Sequence, residues 1–299
     1  MNSLYTLWKG WNDHAAMFLG IGLVAAVAWN WWQWRQDRAL ALRLHSSAPL
    51  PPCTPSPLPK VSVLVAAWNE ADMIREHIQS FLELHYPDKE LVLCAGGEDG
   101  TYQMAQEHGS GGVKVLEQQP GEGKQRALQR CLAHASGEVL FLTDADSLLD
   151  DHSFTRTLAP LLSEGEEVAT GTSRPLQSQL HLPFVLYQWY IDLFVTARQP
   201  EFVSGVKGCN WAVKRTALEQ IGGFPGAIQA GTDYYTAKLL LRAGKRIRYV
   251  PDSAVSTQYS VTFRSYWRRQ SRWVRNLLLH GPKFGAYNEV WSALRTALA

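Results

Sequence analysis

Two carboxylates stand at i and i+2 in Asp144-Ala145-Asp146, directly after the apolar run Val139-Leu140-Phe141-Leu142-Thr143. Such a pair can grip a hard divalent cation, Mg²⁺ or Mn²⁺, which favours oxygen ligands and bridges readily to a diphosphate. The same tripeptide also serves as a solvated turn or a helix cap. A buried strand ending in it, however, would deliver both carboxylates to a cleft. Gly121-Glu122-Gly123-Lys124 opens a helical stretch. It reads either as a phosphate cradle at a helix N-terminus, with Lys124 adding charge, or as an ordinary glycine turn. It is not a Walker A sequence. Gly231-Thr232-Asp233 opens another helix, so Asp233 is either its cap or a general base for an acceptor hydroxyl. Trp267-Arg268-Arg269-Gln270-Ser271-Arg272-Trp273 combines guanidinium groups suited to a diphosphate with indoles suited to stacking. The same segment also fits a basic amphipathic helix at a membrane surface.

The elements that must position these residues follow from periodicity. Val61–Ala67 is a buried-strand run, and Asn69-Glu70-Ala71-Asp72 opens a helix to about Leu84. Glu90–Ala95 is a second strand, turned by Gly96-Gly97 into a helix after Thr101. Val113–Glu117, a helix over Gln125–Ala135, and Val139–Thr143 continue the alternation. Strand–helix alternation predicts an α/β fold with a mostly parallel sheet flanked by helices. Ligands of such sheets bind at the carboxyl ends of the strands. Each of the motifs follows a strand or opens the next helix. There is no internal repeat.

Composition narrows the classes. Lysines and arginines number 29 against 27 acids, a net +2, which gives no footprint for a nucleic-acid partner. A hydrophobic content of 46% with 19% charged residues excludes a disordered chain. Cys53, Cys94, Cys131 and Cys209 show no C-x-x-C spacing, so neither a zinc site nor a disulfide framework is expected. Six of the twelve tryptophans fall in the first 34 residues. Ala15–Trp34 carries no charge, and as a helix it would extend about 30 Å, enough to span a hydrocarbon core. Arg35, Arg38 and Arg43 follow it while only Lys9 precedes it, which predicts the C-terminal side in the cytoplasm. The expected organisation is an N-terminal transmembrane anchor at residues 1–45, a proline-rich linker at 46–59, a catalytic body at 60–280 and an interfacial tail at 281–299. The aromatic segment Pro183–Ala197 and Leu277–Leu279 fit an interfacial surface near a bilayer or, equally, packed core elements. No clear spanning run follows Trp273, so no channel belonging to this chain is expected.

Taken together, the motifs resemble the family-two glycosyltransferases, with their GT-A fold, over about residues 60–280. Val61 through Glu70 looks like that family's first strand followed by x-x-N-E, which implies that Ala66, Trp68 and Glu70 line the nucleotide-sugar. Asp144 and Asp146 match its D-x-D, implying a divalent cation there. Gly123-Lys124 with Ala127-Leu128 matches its G-K-x-x-A-L near the diphosphate. Asn210–Arg215 and Gly222-Gly223-Phe224 resemble its acceptor-side segment. Thr232-Asp233 stands where the family has an acidic motif whose aspartate is the catalytic base. Arg272-Trp273 matches the end of Q-x-x-R-W. The chain departs from the pattern in Cys94-Ala95-Gly96-Gly97-Glu98-Asp99-Gly100-Thr101, where the usual aspartate pair is lost and Gly96 and Asp99 remain as donor-site candidates. It departs again at Arg269, which takes the first position of Q-x-x-R-W. The resemblance implies an inverting transfer from a nucleotide-sugar, UDP-linked in the first expectation, to a hydroxyl of a lipid or glycan acceptor at the membrane. The competing class is a non-catalytic, membrane-anchored scaffold that keeps the fold.

Overall fold

The computed structural model describes residues 14, 15, 17–32, 35, 58–109, 111–226 and 231–291. It divides into two units, residues 1–49 and 50–299. In the first, α1 (residues 17–32) is helical and its side chains are exposed. Trp29 and Trp32 meet with ring centroids 5.3 Å apart, and the Arg35 guanidinium lies 5.1 Å from the Trp31 ring. Among the described residues, no helix is long and apolar enough to cross a membrane. The spanning helix expected over Ala15–Trp34 is therefore not found as such. Ala16, Gln33 and Trp34, like the proline-rich stretch 46–57, lie outside the described residues.

The second unit is an α/β body. Its strands are β1 (Val61–Trp68), β2 (Lys89–Gly96), β3 (Val113–Glu117), β4 (Val139–Leu142), β5 (Ser147–Leu148), β6 (Val168–Pro175), β7 (Trp211–Lys214) and β8 (Ile247–Thr257). The helices are α2 (Ala71–Leu82), α3 (Thr101–Glu107), α4 (Gly123–His134), α5 (Asp151–Ser163), α6 (Pro183–Thr196), α7 (Arg215–Gln220), α8 (Thr232–Arg242) and α9 (Phe263–His280). One sheet runs β3-β2-β1-β4-β7-β6-β8-β5.

The first four strands are parallel, as the alternation predicts. The other half is mixed, because β7 runs antiparallel to both β4 and β6, and β5 antiparallel to β8. The direction has a plain cause. β4 runs toward the cleft and ends at Asp144, whereas the chain enters β7 from the cleft, through Gly208 and Cys209, and leaves it into α7.

β1 is buried on both faces, which explains its unbroken apolar run. Val61, Val63 and Val65 pack with Ile74, Ile78 and Phe81 of α2 and with Phe154 of α5. Leu64 packs on the other face with Leu128 and Leu132 of α4, Trp211 and Leu240. Cys94, Cys131 and Cys209 are buried free thiols. Cys53 lies outside the described residues.

The end of the sheet away from Asp144 is fastened by Glu90, which is buried at the start of β2. Its carboxylate accepts from the Ser62 hydroxyl (2.7 Å), the Ser136 hydroxyl (2.8 Å) and Lys114 Nζ (2.8 Å). Burial alone would raise its pKa. The Lys114 ion pair and the serine hydrogen bonds overcome that and hold it at about 2. A depressed carboxylate contributes stability above its unfolded pKa and loses it as pH falls toward the folded value. Glu90→Gln is therefore expected to cost about 3 kcal/mol at pH 7. The deficit should begin to shrink below pH 4.5 and approach zero near pH 2, as read by urea unfolding of both proteins across that range.

Candidate active site

The cleft forms where β1, β4 and the first turns of α4 and α8 converge. β1 ends in a tight turn at Asn69, which adopts φ 58°. Asn69 N–H donates to the Gly96 carbonyl (3.1 Å), and its side-chain oxygen accepts from Glu98 N–H (2.9 Å). That turn sets Glu70 at the mouth. β4 hands over to Asp144 and Asp146, and Asp146 Oδ1 accepts from the Thr257 (3.2 Å) and Ser147 (3.3 Å) hydroxyls. Gly121 and Gly123 take φ +76° and +73°, the left-handed region that only glycine enters easily, and so fold the turn that starts α4. α4 has no side-chain cap, so its first N–H groups stay available beside Lys124.

Lys124 Nζ lies 2.6 Å from Asp144 Oδ1 and 3.5 Å from Asp233 Oδ2. Asp233 is not the cap of α8. The capping position belongs to Gly231 at φ +79°, with no side-chain bond, and Asp233 sits in the first turn with its carboxylate free to face the cleft. Gly208 abuts it so closely that a Cβ there would overlap Asp233 Oδ2. α8 is braced from behind by Glu289, which accepts from Tyr234 OH (3.0 Å) and Lys238 Nζ (2.5 Å). Within the expected tail, Glu289 thus packs on α8 while Tyr287 and Trp291 are exposed; residues 292–299 lie outside the described ones.

The cleft encloses about 730 Å³ and brings together Ala66, Trp68, Glu70, Lys124, Asp144, Asp146, Asp233, Arg272 and Trp273, all singled out in the sequence. Gly96 and Asp99 are not among its walls. Asp99 is occupied in holding two helix starts, accepting from Ala71 N–H (3.0 Å), Thr101 N–H (3.1 Å) and the Thr101 hydroxyl (2.6 Å). Gly96 lies under Trp68, where a Cβ would come within 2.9 Å of the indole ring. The acceptor-side segment implied by the resemblance is scaffold over most of its length. Asn210 is fully buried, its amide donating to the Thr172 (3.0 Å) and Ser253 (3.2 Å) carbonyls and accepting from Thr157 (2.8 Å). Phe224 is core. Sequence reasoning missed Asp192, Lys207, Gly208 and Tyr259, which also line the cleft. Available signals were the lone acid in the otherwise uncharged α6 and the Lys207-Gly208 pair just before Asn210.

The acids outnumber the cations. Burial, then the charges of Asp146, Asp144 and Asp99, push Glu70 up to about 7. Burial and Asp144 push Asp146 up to about 6. Burial raises Asp233 as well, with Lys124 opposing and Asp144 assisting. Burial would also raise Asp144, but Lys124 carries it below the usual carboxylate range. Carboxylates that share a site and resist joint ionisation are short of positive charge, and a divalent cation supplies it. The donor set fits Mg²⁺ or Mn²⁺. Among the described residues no cluster of three or more metal-ligating side chains occurs, and two carboxylates in an open cleft leave positions for water and substrate phosphates.

A helix-flanked mixed sheet with paired aspartates at a strand end is GT-A-like. The chain belongs to glycosyltransferase-like family 2, whose model matches residues 59–276. It is 26% identical over 235 residues to the probable glycosyltransferase YdaM of Bacillus subtilis (strain 168), covering 73% of this chain and 55% of that protein. It is 23% identical over 246 residues to the poly-beta-1,6-N-acetyl-D-glucosamine synthase of Staphylococcus epidermidis, covering 79% of this chain and 58% of that one. The chain thus spans little more than half the length of these curated relatives. Among solved structures it is similar in fold to the mannosyltransferase PcManGT from Pyrobaculum calidifontis in complex with GDP-Man and Mn²⁺. That match has a TM-score of 0.63 and 24% identity, and covers 89% of this chain and 79% of that one.

Because a proton competes with the cation for Asp146, Mn²⁺ affinity should climb as pH rises through about 6 and then level off. Titration followed by Mn²⁺ paramagnetic resonance reads this directly. A flat profile from pH 5 to 8, or full affinity retained by Asp146→Asn, would remove the cation from this pair.

Proposed function

We propose that the chain is a metal-dependent inverting glycosyltransferase. It would move a sugar from a nucleoside-diphosphate donor to the hydroxyl of a lipid or glycan acceptor. The observation that carries this reading is Lys124, held between the strand-end Asp144 and the cleft-facing Asp233. A donor-side cation and an acceptor-side base thus share one position.

Asp144 and Asp146 would hold the divalent cation, which supplies charge neutralisation to the leaving diphosphate. Lys124, Arg272 and the uncapped start of α4 would add positive potential to the same group. Trp68 and Glu70, at the end of β1, would face the nucleoside. The acceptor oxygen attacks the anomeric carbon opposite the diphosphate. The C–O bond to the diphosphate breaks, the new glycosidic bond forms, and the hydroxyl proton passes to Asp233. A single in-line displacement inverts the anomeric centre. One carboxylate serves the acceptor, unlike the acid–base pair of most glycoside hydrolases. When Lys124 turns to the diphosphate, Asp233 loses its partner cation and becomes a stronger base.

The membrane is part of the proposal. Arg35, Arg38 and Arg43 after the apolar N-terminal segment would keep the body on the cytoplasmic side. The exposed Leu186, Tyr187, Tyr190 and Ile191 of α6 and Phe263 and Trp267 of α9 support an interfacial surface.

Calorimetric titration with UDP, GDP and TDP, each with and without Mn²⁺, tests the donor site. One nucleotide is expected to bind, and only with the metal. No binding by folded protein would instead favour the scaffold. Asp233→Asn should keep nucleotide affinity and lose about 1,000-fold in transfer rate. Gly208→Ala, which displaces that carboxylate, should lose about 100-fold with its melting temperature little changed. Full activity in Asp233→Asn would end its assignment as the base.

A further inference from the structure

A second set of charges lines the same cleft from the β6–β8 half of the sheet. Lys207 Nζ lies 3.6 Å from the Asp192 carboxylate and 5.9 Å from the Trp273 ring. The Arg269 guanidinium lies 5.3 Å from the Tyr259 ring and 5.4 Å from the Trp273 ring. Asp192 is already committed, because it also accepts from Tyr259 OH at 2.7 Å. Arg269 has no carboxylate partner among the described residues, and its Nε is buried without a hydrogen-bond acceptor. A buried donor left unmatched is unfavourable, and an anion seated in the cleft would relieve it. The two rings hold the guanidinium in one place, so that an incoming anion does not have to order it.

The position of these cations relates them to the acceptor. Lys124, the start of α4 and the Asp144–Asp146 pair serve the donor from the β1–β4 half. Lys207 precedes Gly208, which faces Asp233 so closely that a Cβ would not fit there, and all three residues line the cleft. An acceptor whose hydroxyl reaches Asp233 therefore enters the cleft that Lys207 also lines.

We propose that Lys207 and Arg269 form an acceptor subsite for a phosphoryl group, so that the acceptor is a phosphorylated compound. This rests on the donor reading above. A phosphate monoester matches two neighbouring cations of which only one is partly neutralised, and guanidinium binds it through two parallel hydrogen bonds. Asp192 acts as a positioning residue that steadies Lys207 and Tyr259. The phosphoryl group could belong to a lipid or to a soluble metabolite. α6, which carries Asp192 into the cleft, exposes Tyr187, Tyr190 and Ile191, and so offers a lipid tail an apolar path.

The test is a titration of the full chain with farnesyl phosphate and with glycerol 3-phosphate, against farnesol and glycerol. Each is run without nucleotide and with saturating UDP and Mn²⁺. At least one phosphoryl compound should bind in the presence of UDP and Mn²⁺, with its alcohol about tenfold weaker or undetectable. Which of the two binds identifies the source. Arg269→Gln should weaken that binding about tenfold or more while UDP·Mn²⁺ affinity stays within about twofold. Lys207→Gln should act in the same direction and carries the test if Arg269→Gln does not fold. The proposal is overturned if neither phosphoryl compound binds, if the alcohols bind equally well, if folded variants keep full affinity, or if the loss falls on UDP·Mn²⁺ instead. Failure of UDP, GDP and TDP alike to bind, with farnesyl phosphate or glycerol 3-phosphate still dependent on Arg269, would sink the donor reading and leave the subsite standing.

Discussion

Lys124 sits between two carboxylates that belong to different elements, Asp144 after β4 and Asp233 in α8. Much of the site follows from that one arrangement. Of the five acids that line the cleft among the described residues, Glu70, Asp144, Asp146 and Asp233 are coupled, and burial makes their joint ionisation costly. Lys124 relieves two of them. The others are relieved in part by binding protons, which is why Glu70 and Asp146 titrate near neutrality. A cleft balanced in this way gains from an incoming cation.

The sheet can hold such a site because its two ends are treated differently. At the starts of β1 and β2, Glu90 is fully satisfied by lysine and serine partners and locks neighbouring segments together. At the opposite ends the acids are left short of partners. Two apolar layers, one on each face of β1, carry the stability that the cleft does not. The mixed half of the sheet adds what a purely parallel sheet would lack. β7 leaves the cleft as β4 arrives, which places Gly208 against Asp233, and the C-terminal segment steadies α8 through Glu289.

Legibility in the sequence followed locality. β1 to β4, the strand-end aspartates and the Gly121–Lys124 turn could be read because their periodicity and glycine placement act over a few residues. Asp233 was ambiguous, since a cap and a cleft-facing carboxylate look alike in sequence; Gly231 taking the capping position excludes the cap. Asp99 and Gly96 stood in the right motif but serve helix starts and the seat of Trp68, a distinction made only by the neighbours they meet. Asp192, Lys207 and Tyr259 were hidden because α6, the approach to β7 and the end of β8 converge only in three dimensions. The direction of β7 was equally out of reach, because a short apolar run carries no record of which way it crosses the sheet.

The role given to Lys124 and the aspartate pair is tested by a crystal structure of the chain with Mn²⁺ and the nucleoside diphosphate it binds, with the metal located by its anomalous signal. A peak is expected within ligand distance of Asp144 and Asp146, with the diphosphate on that ion and Lys124 Nζ moved from Asp144 to a phosphate oxygen. A metal or nucleotide bound away from this pair, or Lys124 still clamped to Asp144 with the diphosphate in place, would contradict it.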